Sequence, residues 1–103
     1  MVHNSAVAAK FNGIWRIIEM DNWSNDYLDL IEPAHITFTD ASDGEIAFGA
    51  LTGWLDVRYG MRNGQPCTEF SWQGQDETDP ASGRGWLTMD EQRRIAGRFY
   101  PQR

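Results

Sequence analysis

Hydrophobic side chains recur at every second position in the second half of the chain, and this period limits the folds open to it. Leu55, Val57 and Tyr59 form one such run, with polar or charged neighbours between them. A period of two places the apolar side chains on one face of a β-strand. Short runs of this kind are separated by turn residues, among them Asn63-Gly64, which strongly favours a two-residue hairpin turn. The pattern predicts antiparallel strands that follow one another along the chain.

The beginning of the chain mixes two periods. Phe11, Gly13 and Trp15 alternate, so residues 13–20 are predicted to form a first strand. From residue 21 to residue 31 the spacing is helical, with Ser24 or Asn22 available to cap a short helix. The apolar stripe of this helix would contain Trp23, Tyr27, Leu28 and Ile31.

These patterns together predict a mainly β fold: an antiparallel meander of about seven strands with one short helix after the first strand. Closure of a meander removes its exposed edges, which favours a small barrel or a strongly curved sheet. With 103 residues, the chain has the size of one domain. We expect a flexible leader over residues 1–10, with a turn of helix possible at residues 6–9, and a single β domain over residues 11–103.

The charge distribution narrows the classes of partner. The formal net charge is −6, Lys10 is the one lysine, and residues 17–57 contain acidic side chains but no lysine or arginine. This composition argues against a nucleic-acid partner and leaves either a basic protein partner or an ordinary solvated surface. No apolar run is long enough to cross a membrane, and Cys67 has no second cysteine to pair with. Without a convincing secretory signal, a cytoplasmic location is expected.

The stretch from Trp72 to Trp86 holds the densest polar chemistry, and we expect it to be an acidic, glycine-rich loop between two strands. Its carboxylates Asp76, Glu77 and Asp79 could act as acid and base or collect a metal ion. They could equally satisfy backbone N–H groups in turns. Arg84, between two glycines, could bind a carboxylate or phosphate, or brace the loop against Asp76 or Asp79.

The strand around residue 56 leaves its orientation open. Asp56 and Arg58 lie two residues apart and share a face, opposite to Leu55 and Val57. If Leu55 and Val57 line the interior, the two charges form a surface pair of little energetic value. With the opposite parity they would mark a charged ligand site near Glu69. A strand with this charge pattern between two glycines favours a buried or rim position.

Aromatic residues could wall a pocket or simply fill the core. The residues that could stack on a planar or cationic ligand are Trp15, Trp23, Trp72 and Trp86, with Tyr27 and Tyr59. Neither His3 nor His35 stands in a recognisable arrangement with Cys67 or a serine, so no catalytic residue, cofactor or metal is predicted.

Several motifs carry a resemblance. Phe11-x-Gly13-x-Trp15 resembles the first-strand motif of lipocalins and related calycin barrels, which implies an up-and-down barrel around a small apolar ligand. Over most of its length the chain resembles a group of small bacterial proteins without a known activity. Five segments carry this second likeness: residues 13–20 (Gly-x-Trp-x-Ile-x-Glu-Met), 23–30 (Trp…Asp-Tyr-x-Asp-Leu), 55–59 (Leu-Asp-x-Arg-Tyr), 70–80 (Phe-Ser-Trp-x-Gly-x-Asp-Glu-x-Asp-Pro) and 83–86 (Gly-Arg-Gly-Trp).

The first functional hypothesis is a binding module with an aromatic, polar-rimmed pocket for a small-molecule ligand. A protein–protein or immunity-type module that uses its acidic surface is the alternative, and a carboxylate enzyme is the third. The oligomeric state stays open. The residues predicted to line the pocket are Trp15, Tyr27, Asp56, Arg58, Trp72, Asp76, Glu77, Arg84 and Trp86.

Overall fold

A single antiparallel sheet forms the domain. The computed structural model describes residues 5–21, 23–39 and 42–102. Its strands lie side by side in the order in which they occur along the chain, and the sheet curls into a half-barrel. This confirms the predicted mainly β meander. The strands are β1 (Gly13–Arg16), β2 (His35–Phe38), β3 (Asp43–Phe48), β4 (Leu51–Arg62), β5 (Gln65–Asp76), β6 (Asp79–Met89) and β7 (Ile95–Gln102).

The barrel is not closed. Within the described residues, β1 pairs only with β2 and β7 pairs only with β6, so a gap separates the two edge strands. The predicted first strand over residues 13–20 is shortened to Gly13–Arg16. The chain after it stays attached at one point, since the Ile17 N–H donates to the Ala34 carbonyl over 2.8 Å.

Strand β4 settles the parity that the sequence leaves open. Leu55 and Val57 are buried, whereas Asp56 and Arg58 are exposed. The alternative in which this charged pair lies inside the sheet is therefore wrong, because only one face of an alternating strand can point to the core. We call the buried side the concave face and the side of Asp56 the convex face.

A helix, α1 (Ser5–Phe11), precedes β1 and is longer than the turn of helix expected at residues 6–9. Its Val7, Ala8 and Phe11 are buried, and the Phe11 ring meets the Phe38 ring edge-on at 5.8 Å between centroids. Residues 5–10 therefore belong to the domain and are no leader; residues 1–4 lie outside the described residues. A helix this short is marginal by itself, so packing on the sheet stabilises it.

The second helix, α2 (Asn25–Leu28), is shorter than predicted. The Ser24 side chain caps it by accepting a hydrogen bond from the Tyr27 N–H over 3.2 Å. Leu28 is buried, but Ile31 is exposed and does not extend the apolar stripe. Asn22, the other predicted cap, lies outside the described residues. In the described ranges, neither helix has the length and apolar character needed to span a membrane.

The hairpins differ in how well the sequence predicted them. Asn63 and Gly64 form the expected tight turn with φ values of 51° and 79°. The stretch from Trp72 to Trp86 is not a loop. Strand β5 continues to Asp76 and strand β6 begins at Asp79, so a two-residue turn joins them. The run Asp-Ala-Ser-Asp-Gly at residues 40–44 also favours a turn, but residues 40 and 41 lie outside the described residues.

Glycines in β6 explain why that stretch looks like a loop. Gly83 lies opposite Trp72 and Gly85 lies opposite Phe70 on the concave face. A Cβ at Gly83 would come within 2.8 Å of the Trp72 Nε1 atom, and one at Gly85 would meet the Phe70 ring at 2.5 Å. The glycines make room for the two rings.

The turn between β3 and β4 provides a test of this packing. Gly49 has a φ of +55°, and a Cβ there would overlap the Tyr27 ring. An alanine here would be strained by the left-handed backbone and would also overpack against Tyr27, and these two costs add. Gly49→Ala should therefore lower the free energy of unfolding by about 2–4 kcal/mol. Gly64→Ala is the matched control, because Gly64 also has a positive φ of +79° but a Cβ there meets no atom within 4 Å. Urea denaturation measures both, and equal effects of the two substitutions would contradict the placement of Tyr27.

Candidate ligand-binding site

The residues predicted to line one pocket lie in separate places. Trp15, Tyr27 and Trp72 pack against or within the core on the concave side. Asp56, Arg58, Arg84 and Trp86 lie on the convex face, because they alternate with buried residues of β4 and β6. Asp76 and Glu77 lie at the β5–β6 turn. The structure therefore does not bring them together as one lining.

The acidic turn lies far from the convex charges. Arg84 faces Ser71 across the ladder, whereas Asp76 faces Asp79 five residues further along β5. At ~3.4 Å per residue this separation is about 17 Å. Arg84 forms no ion pair with Asp76 or Asp79, so the predicted bracing contact is absent among the described residues. Glu77 instead anchors the turn, with its N–H donating to the Ala50 carbonyl over 3.1 Å.

The three aromatic residues on the concave side, Trp15, Tyr27 and Trp72, each contact another part of the fold. The Trp15 Nε1–H donates to the Phe11 carbonyl over 2.8 Å. Trp72 is buried and stacks on Phe99 with 4.8 Å between ring centroids. The Tyr27 hydroxyl accepts a hydrogen bond from the Ala50 N–H over 3.3 Å. These contacts fix the positions of the side chains that surround the cavity described next.

A cavity of about 420 Å³ opens on the concave face, in the gap between the chain after β1 and strand β7. Sheet residues form its floor, and residues 16–21 with Trp23 form one side. The rings of Trp23 and Phe99 approach to 6.3 Å between centroids, which links that segment to β7. The apolar lining consists of Ile17, Ile18, Met20, Trp23, Ile36, Ile46, Phe70, Leu87, Ile95, Ala96 and Phe99.

None of the nine residues predicted to line the pocket is in this lining; of the aromatic residues considered as a pocket wall, Trp23 is. The inward parity of Phe70 is visible in the sequence, as is the alternation that pairs it with Trp72. By contrast, Ile17 and Met20 line the cavity only because the strand ends at Arg16 and the chain turns along the open edge. Such a course has no periodic signature.

Charged residues form the rim of the cavity: Arg16, Glu19, Asp21 and Arg98. Arg16 is paired with Asp29, with 3.1 Å between its Nη2 and the carboxylate Oδ2. Among the described residues, Glu19, Asp21 and Arg98 make no ion pair. The rim therefore offers two free carboxylates and one free guanidinium to a ligand.

Asp29 ties the rim to the sheet. Its Oδ1 accepts a hydrogen bond from the Ala34 N–H over 2.8 Å. This backbone hydrogen bond, more than the neighbouring Arg16, lowers the pKa of Asp29 below its ordinary value. The ionised carboxylate thereby joins the segment after α2, the start of β2 and the end of β1.

Two buried polar atoms lie behind the cavity lining, Thr68 Oγ1 and Trp72 Nε1, and neither has a hydrogen-bond partner among the described residues. Thr68 pairs across the ladder with Leu87, a lining residue, and Trp72 stacks on Phe99, another. Each of these atoms lowers the stability of the folded state by about 1–3 kcal/mol relative to the same atom with a hydrogen-bond partner.

The site lacks an activated nucleophile. Cys67 is buried, and burial raises the pKa of its thiol; the Glu69 carboxylate raises it further and Arg62 partly opposes this. Such a thiol is protonated and unreactive near neutral pH. Among the described residues, no three His, Cys, Asp or Glu side chains come together to hold a metal ion. The geometry offers binding by shape and charge.

The role of Asp29 can be tested by pH. A lowered pKa means that the carboxylate stabilises the folded state fully above the unfolded value of ~3.9, and that this contribution is lost as the pH falls through the folded pKa. Asp29→Asn should therefore lower Tm at pH 7 and 5, and the difference from the wild type should shrink by pH 3. Thermal unfolding followed by circular dichroism measures it.

The control for this experiment is Asp76→Asn, since Asp76 is exposed and makes no side-chain hydrogen bond or ion pair in the described chain. Asp76→Asn should leave Tm at pH 7 close to that of the wild type. A difference between Asp29→Asn and the wild type that stays constant from pH 7 to pH 3 would show that the carboxylate does not hold the rim.

Comparisons with known proteins add no relative to this geometry. No protein-family model, no curated protein and no solved structure matches the chain. The resemblances to calycin barrels and to the small bacterial proteins stay expectations, and the functional argument depends on the cavity and the surface.

Proposed function

We propose that the protein binds a small, largely apolar molecule in the concave cavity. The observation that carries the proposal is a cavity of about 420 Å³ lined by apolar and aromatic side chains together with four charged side chains, all four of them exposed. Ligand sites in proteins are commonly ~300–1,000 Å³, mostly apolar, with a few polar groups that orient the ligand. This cavity has the same size and the same division between body and rim.

The open edge of the sheet gives a ligand its way in. Strand β1 has four residues and β7 has eight, so the wall between them is incomplete. The chain from Arg16 to Trp23 borders this gap. A ligand that enters between the two edges would bury its apolar body against Phe70 and Leu87 and leave its polar end at the rim.

The rim favours a ligand with a cationic end. Asp29 already neutralises Arg16, which leaves Glu19 and Asp21 against Arg98 alone. The Trp23 ring in the lining adds a face that attracts cations. We therefore expect an amine to bind more tightly than a carboxylate of the same chain length.

The likeness of Phe11-x-Gly13-x-Trp15 to the calycin motif agrees with this proposal, because those barrels also hold small apolar ligands on the concave side. The alternative is that a basic protein docks on the acidic surface. Two acidic residues of that surface, Glu19 and Asp21, lie at the rim of the cavity.

The test compares three probes of equal length: n-octylamine, n-octanol and octanoate, each below its critical micelle concentration. A ligand of the folded state raises Tm. Wild-type protein should be stabilised by all three, most by the amine. Leu87→Trp should fill the cavity and weaken binding at least about tenfold, equivalent to ~1.4 kcal/mol. Leu30→Trp, the same change at a side chain that is 60% exposed and outside the lining, should bind like the wild type.

A second variant separates loss of binding from loss of folding. Glu19 is exposed, so Glu19→Lys should leave the fold intact and shift the preference towards octanoate. Absence of stabilisation by all three probes, or equal binding by Leu87→Trp and Leu30→Trp, would contradict the proposal.

A further inference from the structure

The convex face carries a continuous groove that the cavity does not use. Three shallow clefts in a row form this groove. The middle cleft shares Trp54, Gln73 and Ser82 with the cleft on one side, and it shares Asp56, Ser71 and Arg84 with the cleft on the other side. Along β5 the groove extends from Gln75 to Glu69. Six residues at ~3.4 Å each give a length of about 20 Å.

The antiparallel register explains the groove. Strand β5 pairs along its length with β4 on one side and β6 on the other. Its outward residues Ser71 and Gln73 form the floor, while larger side chains on the flanking strands form the walls. Each wall residue faces outward because its strand neighbours, such as Leu55 and Gly85, face the core.

Aromatic rings lie towards both ends of the groove: Trp54 lies beside Gln73, two residues short of Gln75, and Trp86 lies beside Glu69. Trp54 is 66% exposed and Tyr100 is 50% exposed, so each presents a ring to solvent. Trp86, near Tyr100, carries the Arg62 guanidinium at 4.0 Å from its ring centroid. This cation–π contact holds the orientation of the indole. Tryptophan is enriched among the residues that dominate binding energy, which makes the exposed Trp54 a candidate ligand contact.

The charges in the groove are free to bind. Arg58 and Glu69 face each other across β4 and β5, and Asp56 lies one row away from them. None of these side chains, nor Arg84, forms an ion pair with another described residue. The part of the groove around Ser71 and Glu69 therefore presents planar hydrogen-bond donors next to planar acceptors.

This arrangement discriminates between classes of ligand. A nucleic-acid strand would bring its phosphates against Asp56 and Glu69, which costs affinity. An extended peptide adds to the edge of a sheet through its backbone and needs apolar pockets for its side chains, whereas this groove crosses the middle of the sheet over a polar floor. A sugar ring has an apolar C–H face for an aromatic ring and hydroxyl groups at its edge for paired donors and acceptors.

We propose that the convex groove binds a linear oligosaccharide. Trp54 stacks on one sugar ring at one end, and Trp86 and Tyr100 hold another at the far end. Between them, Asp56, Ser71 and Arg84 hydrogen-bond to hydroxyl groups. The groove and the cavity lie on opposite faces of the sheet, so this proposal is independent of the function proposed for the cavity.

The test is a glycan array printed with linear gluco-, chito-, galacto- and uronate oligosaccharides, followed by titration calorimetry of the strongest hit. The wild type should bind at least one linear glycan. Trp54→Ala should weaken binding about tenfold or more, since an aromatic stacking contact and its buried area contribute over 1 kcal/mol. Met61→Ala is the control: Met61 is 59% exposed on the same strand but outside the groove, and its removal should leave the affinity unchanged.

Leu87→Trp, which fills the cavity, should bind the glycan like the wild type and so distinguishes the two sites. Failure of the wild type to bind any linear glycan on the array would overturn the proposal. So would an unchanged dissociation constant for Trp54→Ala, or tighter binding of oligo-dT than of any glycan.

Discussion

The pairing of β5 with β4 and β6 is the constraint on which the rest of the structure depends. Its register sends Phe70 and Trp72 to the concave face, where Gly85 and Gly83 make room for their rings. The same register sends Ser71 to the opposite face, between Asp56 and Arg84. A shift of one residue would exchange the two faces and expose the core, so the packing of these rings fixes both candidate sites together.

The curl of the sheet gives the two faces different shapes. The concave face surrounds a volume that its own side chains do not fill, because the ladder stops at β1 and β7 before the barrel closes. The convex face is polar and presents Trp54 to solvent. An apolar cavity suits a small molecule that must leave water, and a long polar groove suits a ligand that stays hydrated at its edges.

Periodicity predicted much of the fold and little of the sites. Leu55, Val57 and the Asn63-Gly64 turn follow from local patterns, since they depend on neighbours in the chain. Helix α1 does not, because its stability comes from Phe11 meeting Phe38, which is far away in sequence. In the sequence alone, the glycines of β6 predict a loop. Their role as space for the Phe70 and Trp72 rings depends on pairing across the sheet. The cavity lining depends on the course of residues 17–23 past the last paired residue, which no period encodes.

The open edge is the central claim, because without it the cavity has no mouth. Amide hydrogen exchange measured by NMR tests it directly. An edge strand pairs on one side only, so protection should alternate from residue to residue along Ile95–Gln102, while β5, paired on both sides, should be protected throughout. Continuous protection along β7, equal to that of β5, would show that the sheet closes on a further strand and would contradict the account.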